Sequence, residues 1–382
     1  GDNIVFGDSG RILAATVDSG TQAHFDGQPI TLGRVETIED TDGGVDTITT
    51  LTGYDIVLGG HEGDQITVSL IAEPENQSAL APDSGNIVFG DTGYIDYDND
   101  SDANDIDEIK STTTIPTLGV NSALEAVIVD VGGIDTINSG DGDDIIIGGR
   151  LGDTINARNG DNAVIGDSAS ITADNGTIYK WQGQPISVGK IETMEPDDGG
   201  ADTITTLGGS DIILGGTAKD TIHTGDGVDV IFGDQGEVRK AGGDGNYVVT
   251  YGSEPQPWFE GYYFEATWIH DDAAGTGDVI YGEGGRDYIL GQQGADVIFG
   301  GAGDDDIYGG HNVVAGHDTG DFIDGGTGND VIAGDNASIQ GTDDYLNPRF
   351  RALAGTVIYD SNGVPQETAS PQRDPNQVHV RT

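Results

Sequence analysis

Sixteen aspartates and three asparagines recur along this chain with one neighbour in common: two residues after each stands Ile or Val. The aspartates step by nine residues in four blocks: Asp46, Asp55 and Asp64; Asp135, Asp144 and Asp153, with Asn162 next; Asp202, Asp211, Asp220 and Asp229; and Asp278, Asp287, Asp296 and Asp305. After a seven-residue slip Asp321 and Asp330 resume the step, and Asn3 and Asn86 carry the same local pattern. Carboxylates repeated at a fixed step, with turn carbonyls beside them, supply oxygen ligands only. That is the chemistry of a hard cation, and calcium fits it better than magnesium, which dehydrates reluctantly and demands an octahedron.

Short strands must position these groups. A β-branched residue flanked by two variable ones suits a very short strand with one side chain turned inward. Gly stands one or two residues before every repeated Asp or Asn except Asp220, which lets the chain turn sharply and present its carbonyls. Such units bury no core singly, but stacked they align Ile and Val into a continuous row. Two units make one circuit of 18 residues, so residues 18 apart share an edge: Asp46 with Asp64, Asp135 with Asp153, Asp144 with Asn162, Asp202 with Asp220, Asp211 with Asp229, Asp278 with Asp296, and Asp287 with Asp305. Pairs across an insertion, Asp305 with Asp330 and Asp55 with Asn86, follow the same logic. Carboxylates stacked at about a strand spacing, roughly 4.8 Å, repel one another unless a cation lies between them.

Two units read "GGAGDDDIY" (300–308) and "GGTGNDVIA" (325–333); they resemble in full the RTX, or haemolysin-type, calcium-binding nonapeptide G-G-x-G-x-D-x-U-x, where U is a large apolar residue. Others match in part, such as "GGRLGDTIN" and "GGHEGDQIT". The resemblance implies an all-β fold, a right-handed parallel β-roll or β-solenoid with several Ca2+ ions between successive turns. It also implies secreted bacterial proteins that often leave by type I export. The expected metal residues are the repeated Asp and Asn above, Asp46 through Asp330 with Asn86 and Asn162.

Composition agrees. Sixty-seven Asp and Glu face 15 Lys and Arg, a formal net charge of -52, which disfavours nucleic acid or an anionic membrane as partner and favours cations. No apolar run reaches the roughly 18 residues of a membrane helix. The absence of Cys excludes disulfides and Cys-based zinc sites. No H-E-x-x-H, G-x-S-x-G or P-loop appears, so no enzyme is expected. The "GDSG" at 7–10 mimics a serine-protease nucleophile loop, but its copies carry Thr92, Ser168, Gln235 and Asn336 where Ser9 stands.

A longer period overlies the short one. "NIVFGDSGRI", "NIVFGDTGYI", "NAVIGDSASI", "DVIFGDQGEV" and "DVIAGDNASI" close the blocks, and "DGQPITLGRVETIEDTDGGVDTITTL" from Asp26 recurs in near copy from Gln182. The expected modules are 1–85, 86–161, 162–228 and 229–339, the last with an aromatic-rich insertion at 240–272, followed by a tail or next module at 340–382. Loop or hairpin excursions are expected near 10–42, 92–130, 168–198 and 235–275. Asp8, Asp91, Asp167, Asp234 and Asp335 either ligate a block's last ion or cap its turn. The stretch 247–269 reads as a hairpin over the roll or a contact surface, and the acidic run 96–108 as a solvated loop. Thr47, Thr49, Thr203 and Thr205 recur too sparsely for a flat ice-facing array.

These features lead to one expectation: a non-enzymatic, calcium-folded, extracellular or cell-surface bacterial structural protein, a piece of a longer array whose partners are calcium and copies of itself or surface components. The alternative is the folding and secretion region of an RTX toxin or hydrolase whose catalytic part lies outside the chain.

Overall fold

The computed structural model describes residues 1–16, 31–39, 41–69, 84–98, 105–112, 119–120, 126–127, 132–174, 186–195, 199–240, 262–266, 276–312, 318–337, 357–359 and 365–367. Among them every regular element is a strand. Three sheets carry the architecture, and the chain alternates between two of them.

The middle sheet holds ten parallel strands in chain order, from Asn3–Phe6 and Asp55–Leu58 through Ile145–Ile147 and Val230–Phe232 to Val331–Ala333. The open sheet is likewise parallel and takes the intervening strands, among them Thr47–Thr49, Gln65–Thr67, Thr136–Asn138, Thr203–Gly209, Val279–Tyr281 and Phe322–Thr327. Register is set by the apolar residue: Ile48 lies beside Ile66, then Ile137, Ile155, Ile204, Ile222, Ile280, Ile298 and Ile323. All 19 repeat Ile and Val residues meet between the two sheets, joined by Val68 and Ala157. One buried Ile is worth roughly 1.5–3 kcal/mol, too little to fix a three-residue strand alone. Stacking supplies the rest, an arrangement consistent with a β-roll.

The excursions build the third, flanking sheet. Each contributes a hairpin: Gly10–Ala14 with Leu32–Thr37, Gly93–Asp96 with Glu108–Ser111, Ala169–Ala173 with Val188–Thr193, and Gly236–Lys240 with Tyr262–Ala266. Consecutive hairpins then pair edge to edge into one eight-stranded antiparallel sheet. A single row crosses it: Ile12, Val35, Ile95, Ile109, Ile171, Ile191 and Val238. From Val35 onward these residues are fully buried, in a second core with Ile56, Leu58, Phe89, Ile147, Leu214 and Phe232 of the middle sheet. The excursions are thus a cover for the middle sheet, whose strands carry apolar residues at three consecutive positions in all but Asp306–Tyr308. The opposite face of the flanking sheet is charged, with Arg34 bridging Glu36 at 2.7 Å and Asp96 at 2.8 Å.

Nothing among the described residues covers the outer face of the open sheet. Its register aligns Thr47, Gln65, Thr136, Thr154, Thr203 and Thr221 in one column and Thr49, Thr67, Asn138, Asn156, Thr205 and His223 in the next. The hydroxyl and amide array is therefore denser than the spacing of four threonines suggests, because insertions drop out of the stacked register. It ends where Tyr281, Phe299 and Phe322 follow, with Tyr281 stacked 4.3 Å from His223 and 5.0 Å from Phe299. Most of the aromatic stretch 247–269 and of the tail beyond 340 lies outside the described residues, as does 99–104 of the acidic run.

Candidate metal centre

Two edges join the parallel sheets. On the first, the chain turns from the middle to the open sheet, as from Gly148 to Asp153; on the second it turns back, as from Ser139 to Asp144. All four hairpins leave from the first edge, after Gly7, Gly90, Gly166 and Gly233, and the chain then comes back at Asp46, Asp135, Asp202 and Asp278.

The repeated Asp and Asn residues form one ladder on each edge. On the first, the backbone N–H of each donates to Oδ1 of the next: Asp46 to Asp64 at 2.7 Å, Asp64 to Asp135 at 2.5 Å, Asp135 to Asp153 at 2.8 Å and Asp153 to Asp202 at 2.6 Å. Asp202, Asp220, Asp278, Asp296 and Asp321 continue it at 2.8–3.0 Å. The second ladder runs Asn3, Asp55, Asn86, Asp144, Asn162, Asp211, Asp229, Asp287, Asp305 and Asp330 at 2.7–3.2 Å. Every pair expected from the 18-residue step is adjacent, and pairs across the insertions are adjacent too.

Hydrogen bonding to Oδ1 leaves the other carboxylate oxygen. On the first edge Oδ2 of Asp64, Asp135, Asp153, Asp202, Asp220, Asp278, Asp296 and Asp321 is buried without a hydrogen-bond partner. Each faces a turn glycine and a carbonyl of the next circuit. A Cβ built on Gly90 would stand 2.2 Å from Asp135 Oδ2 and 2.4 Å from the Gly148 oxygen; on Gly148, 2.4 Å from Asp153 Oδ2 and 2.2 Å from the Gly166 oxygen. Gly166, Gly215, Gly233 and Gly291 repeat this cradle. A buried anionic oxygen with no partner is costly, and a row of them beside converging carbonyls fits calcium's oxygen-only ligand preference.

Electrostatics point the same way. Burial pushes the carboxyl of Asp135 up to about 7, with the charge of Asp64 adding to it and the Asp64 amide opposing. Asp64 rises to about 7 and Asp296 to about 8 for the same leading reason. Asp153, Asp202, Asp220 and Asp278 are held well above the usual carboxylate range by burial, and Asp153 and Asp220 further by like-charged ladder neighbours on both sides. On the second edge burial raises Asp211 to about 7 and Asp229 well above its usual range, while the hydroxyls of Thr206 and Thr224 beside them oppose the rise.

Three of the five "GD" aspartates, Asp8, Asp91 and Asp167, cap turns through both carboxylate oxygens, and Asp234 accepts the Gln293 amide through Oδ2. Asp91 Oδ1 accepts from the Gly133 amide at 2.8 Å and Oδ2 from the Arg150 amide at 2.6 Å. Asp8 takes the amides of Gly44 and His61, and Asp167 those of Gly200 and Thr217. Each stands where an uninterrupted turn has its second glycine, as at Gly149 with φ 121°. A cap there ties the returning excursion to the next circuit.

One acid escaped the sequence pattern. Asp318, in the slip before Asp321, has a carboxylate oxygen within 4.8 Å of those of Asp296 and Asp321. Burial and the charge of Asp321 raise it to about 7. Its signal in the sequence was only an extra Asp three residues upstream of a repeat.

The family model described as RTX calcium-binding nonapeptide repeat (4 copies) matches residues 127–155, 197–220, 206–237, 281–311 and 308–337, together about a third of the chain. No curated protein matches it. The block at Asp46–Ile66 lies outside the matched segments, yet its strands pair in the same two sheets. The unpartnered carboxylate row and the matched segments coincide in Asp135, Asp153, Asp202, Asp220, Asp296 and Asp321: the chain carries RTX calcium-binding nonapeptide repeats.

Proposed function

We propose that this chain is a calcium-folded structural segment of an extracellular or cell-surface assembly in bacteria, a β-roll whose ladder carboxylates hold a column of Ca2+ ions and which performs no catalysis. The observation that carries this reading is the row of eight buried Oδ2 atoms on an edge built only from aspartate. Ions between successive carboxylates cancel their repulsion and bind the folded state alone, so calcium adds directly to stability. Without it, a chain with net charge -52 and few large apolar residues repels itself and stays unfolded. Extracellular calcium, near 10⁻⁴ to 10⁻³ M for modules of this class, switches it on. An assembling role draws support from the uncovered open sheet, whose outer face ends in Tyr281, Phe299 and the exposed Phe322.

Light scattering and sedimentation of chelated protein brought to millimolar calcium test this. Folding with defined multimers is expected. Folding into a monomer at all concentrations would instead indicate a secretion and stability module.

A further inference from the structure

The two edges differ in the residue that opens each turn, two positions after the inward Val or Ile. On the first edge this residue is Gly at every turn: Gly7, Gly59, Gly90, Gly148, Gly166, Gly215, Gly233, Gly291 and Gly309. On the second edge it is Thr50, Val68, Ser139, Ala157, Thr206 and Thr224, and only then Gly282, Gly300 and Gly325. The six substituted positions are buried, so their side chains occupy the cradle that glycine leaves clear on the other edge.

What fills the cradle correlates with what closes the turn. A methyl-bearing side chain goes with a neutral amide: Val68 with Asn86, and Ala157 with Asn162. A hydroxyl goes with a carboxylate: Thr50 with Asp55, Ser139 with Asp144, Thr206 with Asp211, and Thr224 with Asp229. The hydroxyls of Ser139, Thr206 and Thr224 donate to the second-edge carbonyl that corresponds to the one facing Oδ2 on the first edge, Ser139 Oγ reaching the Ala157 carbonyl at 3.4 Å. Thr206 Oγ1 donates to the Thr224 carbonyl at 2.6 Å, and Thr224 Oγ1 to that of Gly282 at 2.9 Å. The asparagines do the remaining work of a cation. Asn3, Asn86 and Asn162 alternate with Asp55, Asp144 and Asp211, and each donates its side-chain amide to Oδ1 of the aspartate that follows, at 2.7, 2.9 and 3.0 Å. An alternating Asn and Asp ladder carries half the charge of an all-aspartate one and supplies a donor to Oδ1; Oδ2 of Asp55, Asp211 and Asp229 is buried without a hydrogen-bond partner as on the first edge, so the filled cradle is what sets the two edges apart.

We infer that ions load the roll unequally: the first edge along its whole length, the second only from Gly282 and Asp287 onward, the N-terminal two thirds of that edge being a metal-free ladder of hydroxyls and amides. Asp55, Asn86, Asp144, Asn162, Asp211 and Asp229 then belong to the hydrogen-bonded edge, although their spacing matches that of ligands. The inference rests on the calcium reading above and sharpens it. Gaps between successive Gly and Asp turns number eight on the first edge and two on the second, against sixteen if both edges loaded throughout.

Equilibrium dialysis of the full chain against radioactive calcium counts the ions. A saturating stoichiometry near ten is expected; sixteen would overturn the unequal loading while leaving calcium binding intact, and none would overturn calcium binding itself. Two isosteric variants localise the loss. Asp135→Asn should lower the count by one or two, and Asp144→Asn should leave it unchanged. An equal fall in both variants would contradict the inference. Should Asp135→Asn fail to fold, Thr206→Gly with Thr224→Gly provides the converse measurement: opening two cradles should raise the count, and an unchanged count would contradict the proposal.

Discussion

At the scale of the residue, the turn glycine matters for space. Gly148 lies outside the left-handed region, yet an added Cβ would press on Asp153 Oδ2 and the Gly166 carbonyl. Gly148→Ala should therefore weaken calcium binding and cost about 1–3 kcal/mol, the range of overpacking. Gly44→Ala, with open space around its Cβ position, should cost almost nothing. Urea unfolding of both variants in saturating calcium measures the contrast. The ladder carboxyls also set a pH dependence. Asp64 and Asp135 titrate near 7 when folded and near about 3.9 when unfolded, so without calcium the folded state binds the extra protons. That stability is fully present below about pH 4 and is lost as pH rises through about 7. In chelator, circular dichroism should show more β structure at pH 5.5 than at pH 8, and calcium should bind more weakly at pH 5.5 because it displaces those protons. More structure at pH 8 in chelator would contradict the raised carboxyls.

At the scale of the element, the repeat strands were legible because one rule placed them: all 19 Ile and Val residues two after Asp or Asn lie in one core. The flanking sheet was not legible. Its strands follow a different rule, one β-branched residue between polar ones, as in "RVE", "EIK", "KIE" and "EVR", and the segments joining them vary in length, so no fixed step reveals that their residues align. The register of Val35, Ile95, Ile109, Ile171 and Ile191 exists only after the roll has brought the hairpins side by side. The difference between the edges was visible in the sequence in principle, but a search for Asp spacing ignores what stands five residues before it. Packing gives the flanking sheet a testable weight. Ile109 and Ile171 are fully buried against the middle sheet, so Ile109→Ala or Ile171→Ala should cost about 2–5 kcal/mol. The loss should appear as a lower urea midpoint of the calcium-loaded protein with its ion count unchanged. A midpoint within error of the parent would mean that the flanking sheet adds little to the fold.

At the scale of the whole molecule, three layers share two cores and one charged edge. The inner core needs only short strands because successive circuits complete one another, and the outer core needs the hairpins because the middle sheet is apolar on both faces. Neither core offsets the repulsion of nine stacked aspartates on the first edge, eight of them with a buried oxygen that has no hydrogen-bond partner. On the proposed reading, calcium acts on the whole chain at once. Because the proposed sites lie between circuits and across insertions, binding and folding should be cooperative, with one transition and no populated half-folded roll. The most direct test is a calcium titration of the chelated chain at pH 7.5 followed by far-ultraviolet circular dichroism. Little regular structure is expected in chelator, and a single steep gain of β signal below a few millimolar calcium, reversed by chelation and not reproduced by equal magnesium. A chain already fully folded in chelator, with no response to calcium, would contradict this expectation.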